Sequence, residues 1–225
     1  MTKTKPGPIT ETAAAMALTF LVTIGFVLLV PAALAPSVPV PLKILFELSP
    51  YLLLLGMAVL FCKIGGKPAA EGLGFSWAQL KRQLAAAFVL FLVTISLVLL
   101  PLLFGAAPGD VLGAKMRTPL LLCYSVIKAM LVVGLGEELL FRGYFYGRLL
   151  EITGSPAWAL VISSVFFGLW HYPIGRNFLQ VLVTAFLGFL YGLARLKIRG
   201  CSTLATGLAH GLHDAALLAL GYILL

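Results

Sequence analysis

Apolar runs long enough to cross a lipid bilayer recur from one end of this sequence to the other, and nothing else constrains its fold as strongly. Hydrocarbon offers no water to pair with backbone amides, so runs of this kind close their hydrogen bonds internally as helices. Seven runs can be drawn, over residues 12–35, 42–62, 84–104, 119–150, 157–171, 178–193 and 202–225. Breakers stand between them: Pro36, Pro39 and Pro41 after the first, Pro108 and Gly109 after the third, Gly154-Ser155-Pro156 after the fourth, Arg199-Gly200 before the last. The longest polar connection, 63–82, carries Gly65, Gly66, Gly72 and Gly74. Only 11% of the residues are charged, against about one-quarter in a soluble domain, so too little polar surface exists to cover a water-soluble body. The expectation is an all-α, polytopic membrane helical bundle of about seven to eight transmembrane helices, a single membrane domain over residues 1–225 crossing the cell membrane repeatedly. The polar start through Glu11, followed by a run of about 24 residues, reads as a first membrane helix rather than a cleaved signal.

The net charge of +8 raises the question of nucleic acid, but the basic residues are scattered through short loops with no run above two. Basic loops of this kind set topology, and no nucleic-acid partner is expected. One set of alternate loops and flanks holds Lys3, Lys5, Lys63, Lys67, Lys81, Arg82, Arg148, Arg195, Lys197 and Arg199; the other holds Lys43, Lys115, Arg117 and Arg176. The first set is the cytoplasmic one by that count, which puts the N-terminus inside. Cys62, Cys123 and Cys201 lie far apart with no zinc or redox spacing and read as small core residues. No internal repeat is evident.

Ionisable groups inside apolar spans cost roughly 2.5–3.5 kcal/mol each on insertion scales, so they need a partner or a purpose. This chain gathers them in its last four spans: Glu137, Glu138 and Arg142 in the fourth, His171 closing the fifth, and His210, His213 and Asp214 in the seventh. Glu138 and Arg142 stand one helical turn apart and can pair, which makes them a structural pair. Glu137 lies about 100° around the helix from Glu138 and has no such local partner. His210 and Asp214 again share one face, with His213 rotated about 60° away as the weaker candidate.

Depth adds a second argument. If the fourth and fifth spans form a hairpin at Thr153-Gly154, Glu137 and His171 each lie roughly 25 Å from the turn at 1.5 Å per residue. His210 and Asp214 stand roughly 15–21 Å beyond Gly200 on the same reckoning. Small residues mark the same faces: Gly207 and Gly211 with His210 and Asp214, Ser164 and Gly168 with His171, Gly134 one turn before the glutamates. Such spacing lets helix backbones approach closely. Gly188 and Gly192 repeat it without polar groups, a packing signal only.

A carboxylate beside imidazoles in a cavity shut away from lipid suits hydrolysis, with Glu137 taking a proton from water and His210 donating to the developing oxyanion. The sequence has no G-x-S-x-G elbow and no H-E-x-x-H helix. Glu137-Glu138-Leu139-Leu140-Phe141-Arg142 resembles the EExxxR motif of the CPBP family, the CAAX proteases and bacteriocin-processing enzymes also called Abi. Phe167-Gly168-Leu169-Trp170-His171 is similar to its FxxxH motif, and His210-Gly211-Leu212-His213-Asp214 to its HxxxN motif. All three occur in family order, which makes 119–225 the motif-bearing core. The resemblance implies an intramembrane endopeptidase acting on a peptide or membrane-protein substrate within the lipid bilayer. It assigns water activation to Glu137 with His171, and oxyanion stabilisation to His210 and Asp214. Glu138–Arg142 becomes the structural pair.

Asp214 stands where CAAX-processing members typically carry Asn, and an ionised aspartate cannot donate to an oxyanion. Asp214 then acts protonated, orients a neighbour, or binds a metal. Glu137, His171, His210 and Asp214 form a candidate zinc set, as the metalloprotease label of the family implies, while glutamate and water alone form the metal-free route. Two other classes are compatible with buried Glu, His and Asp: a proton-coupled transporter, and a non-catalytic membrane scaffold or immunity protein.

Overall fold

The computed structural model describes residues 7–112 and 117–225; Lys3, Lys5 and Lys115, counted above for orientation, lie outside them. The helices are α1 (Pro8–Ala33), α2 (Val40–Ile64), the short α3 (Ala69–Gly72), α4 (Leu80–Leu103), the short α5 (Pro108–Leu112), α6 (Pro119–Thr153), α7 (Pro156–Gly175), α8 (Phe178–Lys197) and α9 (Thr203–Leu224). Among the described residues seven of these are long and apolar enough to cross a membrane, and no strand forms. The protein is an all-α, multi-pass membrane protein.

Local chemistry sets the helix ends. Thr118 and Ser155 accept from Leu121 N and Trp158 N at 3.2 and 3.4 Å, each followed by a proline at the first helical position. Ser202 caps α9 through Leu204 N. Gly154, at φ 62°, ends α6 in the left-handed conformation that glycine adopts without a Cβ penalty. The fifth span is longer than expected. It runs through Pro173 to Gly175, so His171 sits within α7 rather than closing it.

The long helix α6 is not uniformly α. Ala129–Gly134 and Leu139–Phe145 widen into π turns, with one α turn, Leu135–Glu138, between them. Runs of i→i+5 bonding are rare and concentrate at functional sites. Here they bracket the two glutamates, and angles reckoned at 3.6 residues per turn do not carry through the helix.

The chain divides into two compact units, each drawn from two separate stretches: Met1–Phe75 with Leu140–Leu193, and Ser76–Leu139 with Ala194–Leu225. In the first unit, α1 turns a narrow polar face inward. Thr12, Thr19 and Thr23 return their hydroxyls to carbonyls four residues back at 2.7–2.9 Å, so a buried face stays satisfied. Its Leu21, Leu28 and Leu29 are exposed, as a lipid-facing surface requires. Trp170 Nε1 donates to Thr23 Oγ1 at 2.5 Å, and Phe20 meets Phe166 edge-on at 5.5 Å, fixing α1 to α7. Phe141, Phe145, Phe166, Phe167 and Trp170 form the aromatic core beneath.

In the second unit α9 crosses α6 at glycines. A Cβ on Gly134 would lie 2.5 Å from Gly211 N and 2.7 Å from Gly207 O, and one on Gly211 would lie 2.8 Å from Met130 Cα. The backbones touch, as the small-residue spacing implied. Gln83, fully buried on α4, donates to the carbonyls of Ser76 and Ala78 and accepts from Ser202 Oγ, tying α4 to the start of α9.

Candidate active site

The glycine crossing brings four of the expected residues together within the second unit. One turn beyond Gly134, α6 presents Glu137 and Glu138, both buried; opposite them α9 presents His210, also buried. His210 Nδ1 stands 3.3 Å from Glu138 Oε1. Its Nε2 stands 3.9 Å from Glu137 Oε2 and 3.6 Å from Asp214 Oδ2, one turn along α9. Asp214 is the most open of the group, with 30% of its side chain exposed, so the cluster has one accessible edge. Three carboxylates thus surround one imidazole. A donor bond from Nδ1 to Glu138 fixes the ring and leaves Nε2 toward Glu137 and Asp214.

His213 follows a different course. It is buried on α9 and its Nδ1 meets no hydrogen-bond partner among the described residues. His210, the residue on the Asp214 face, is the imidazole that the glutamates engage.

His171 and Arg142 belong to the first unit. His171 donates from Nδ1 to Phe167 O four residues back at 2.8 Å, and its ring stands edge-on to Phe167 and Trp170 at 4.6 and 5.0 Å. Phe167 and Trp170, the motif's aromatic residues, therefore hold its orientation. Arg142 is buried and donates from Nε to Gly188 O at 3.2 Å, with its guanidinium 4.0 Å from the centre of the Phe167 ring and 5.8 Å from that of Tyr191. A Cβ on Gly188 would collide with the guanidinium. Gly188, which from spacing carried only a packing signal, makes room for a charge.

A second polar cluster was not legible in the sequence. Glu11, taken as the end of a polar leader, is buried inside α1. It accepts from Arg148 Nη2 at 2.5 Å and from Tyr144 Oη at 3.1 Å. Arg148 also pairs with Glu151 at 2.9 Å, and Lys67 pairs with Glu151 from the other side. Arg148 and Glu151 therefore form a closed network with Glu11 and Lys67. The one sequence signal was the i,i+4 spacing of Tyr144 and Arg148; nothing local named Glu11 as their partner.

Among the described residues no group of three or more His, Cys, Asp or Glu side chains is arranged to hold a metal ion. No step below passes through a metal ion.

Fold and site together define a class: a multi-pass helical membrane protein that buries a carboxylate–imidazole cluster between two of its helices. Comparison adds a likeness: residues 119–216 match the model described as Type II CAAX prenyl endopeptidase Rce1-like, and all three motifs fall inside the match. The likeness is confined to that segment, the motif-bearing part of the chain. No curated protein and no solved structure gives a significant match to the chain.

Proposed function

We propose that this protein is an intramembrane endopeptidase of the cell membrane that hydrolyses a peptide bond near or within the bilayer. Glu137 takes a proton from water, with His171 holding the same water through Nε2. The hydroxide adds to the peptide carbonyl, and the tetrahedral oxyanion is met by His210 Nε2–H. With Nδ1 bonded to Glu138, the ring can donate from Nε2 only when it carries both protons; Glu137, Glu138 and Asp214 stand around it as counter-charges. Asp214 acts through His210 rather than on the oxyanion itself. Glu137 then returns its proton to the leaving amine, the C–N bond breaks, and carboxyl and amine products separate.

One observation carries this reading: a buried imidazole whose two nitrogens are addressed by two adjacent glutamates, at 3.3 and 3.9 Å, inside a helix crossing. The pairing of His171 with Glu137 rests on the family motifs. Glu138–Arg142 remains the proposed structural pair, with Arg142 held in place by Gly188 O and Phe167.

The test is cleavage of a library of membrane-protein tails and leader-like peptides by the pure protein in detergent, beside Glu137→Gln. Cleavage by the parent and its loss in the variant, with unchanged melting temperature, supports the reading. Equal cleavage by both, or none by a well-folded parent across the library, overturns it. Metal content of the same preparation decides whether an ion takes part.

A further inference from the structure

The first unit carries a groove that the hydrolytic reading does not use. It has a volume of about 320 Å³ and is lined by Ile24, Val27 and Leu28 of α1, by Tyr172 and Pro173 near the end of α7, and by Arg176 just beyond it. Its walls are preset one turn deeper, where Trp170 bonds Thr23. Leu28, Tyr172 and Arg176 are exposed, so the groove opens sideways, toward the space that lipid fills around a membrane helix. Arg176 brings its only charge, and no carboxylate lines it.

The backbone makes Arg176 unusual. It ends α7 at φ 48°, and its amide bonds Tyr172 O, the left-handed cap that Gly154 supplies for α6 at φ 62°. An L side chain is disfavoured there, and glycine is the residue that fits without strain. The chain instead places a guanidinium at that corner, beside the phenol-bearing Tyr172 and above an apolar wall. Arginine presents its donors in a planar fork matched to phosphate. An occupant must therefore come from the membrane, be apolar over the length of one α1 turn, and end in an anion.

We propose that this groove is a binding site for an anionic phospholipid, with the phosphate on Arg176, the glycerol region beside Tyr172, and the upper acyl methylenes against Ile24, Val27 and Leu28.

The experiment uses the full chain in a neutral detergent, titrated with phosphatidylglycerol or phosphatidylcholine and read by native mass spectrometry and thermal unfolding. The parent should retain phosphatidylglycerol at least fivefold more tightly than phosphatidylcholine. Arg176→Gly should abolish that preference while keeping or raising the melting temperature in lipid-free detergent, since glycine suits the cap; loss of lipid is then separable from loss of fold. Val27→Trp, which fills the groove, should weaken retention of both lipids with Arg176 in place. Equal retention of the two lipids by the parent overturns the proposal. So does an unchanged preference in Arg176→Gly, or displacement of phosphatidylglycerol by an uncharged hydrophobic peptide at equal concentration.

Discussion

Glu138 reaches across from α6 to His210 on α9: its Oε1 stands 3.3 Å from Nδ1, and both residues are buried. The contact fixes which nitrogen of the ring is offered to chemistry. Glu138→Gln keeps an acceptor at that position and removes the charge. We expect kcat to fall on the order of tenfold or more while KM stays within about twofold, because the interaction serves the oxyanion step rather than substrate binding. Steady-state kinetics on a cleaved peptide checks the split.

Glu137 and His171 are proposed to act on one water. Glu137→Gln and His171→Ala should each lower kcat/KM on the order of a hundredfold or more, and the double variant should lose little beyond the worse single one. Losses that multiply would show two independent roles. The kinetic cycle measures this directly.

The glycine crossing that positions the cluster can be loaded with one methyl group. A Cβ on Gly134 would sit 2.5 Å from Gly211 N, backbone that cannot swing away, whereas one on Gly56 would meet nothing within 4 Å. Gly134→Ala should destabilise the protein by about 1–3 kcal/mol and depress activity; Gly56→Ala should leave both nearly unchanged. Thermal unfolding in detergent, with activity on the same samples, checks the contrast.

The buried pair of Glu11 and Arg148 links the first helix to the end of the sixth. Removing Glu11 takes one of the two carboxylates that Arg148 pairs with and the acceptor of Tyr144 Oη, so Glu11→Ala should cost about 1–3 kcal/mol. Replacing both, as Glu11→Met with Arg148→Met, should recover part of that loss because neither charge is then stranded. Unfolding titrations of the two variants decide it.

Cys201 lies between α8 and α9, outside the spans, where burial pushes its thiol from the ordinary 9.0 up to about 11, with Arg195 pulling it down and Glu138 adding to the rise. A raised thiol stays protonated near neutrality, so its thiolate fraction at pH 8 should be roughly a hundredth of an unhindered cysteine's. Maleimide labelling of a Cys62→Ala, Cys123→Ala protein should be correspondingly slow and should quicken with pH until about 11. Labelling at the free-cysteine rate at pH 8 would contradict the buried environment.

Local order determined the spans. Hydrocarbon forces every long apolar run into a helix, and proline, glycine and capping residues mark its ends, so the seven boundaries were legible to within a few residues. At α7 the helix continues past the expected end at His171, through Pro173 to Gly175. Charge inside an apolar run is equally local, and it pointed to Glu137, Glu138, Arg142, His171, His210 and Asp214. The small residues beside them pointed to close helix contact, which the Gly134–Gly207–Gly211 crossing shows.

Partnership is another matter. Glu138 meets His210 across 72 residues, Arg142 meets Gly188 across 46, and Glu11 meets Arg148 across 137. No periodicity reports such pairs, because helix spacing fixes only neighbours three and four residues apart. The π turns on either side of Glu137 and Glu138 were invisible for the same reason. So the sequence by itself determined which segments enter the membrane and which of them carry charge. Tertiary packing alone decided which buried charge answers which, since desolvated groups are satisfied by whatever distant atom the helix crossings deliver.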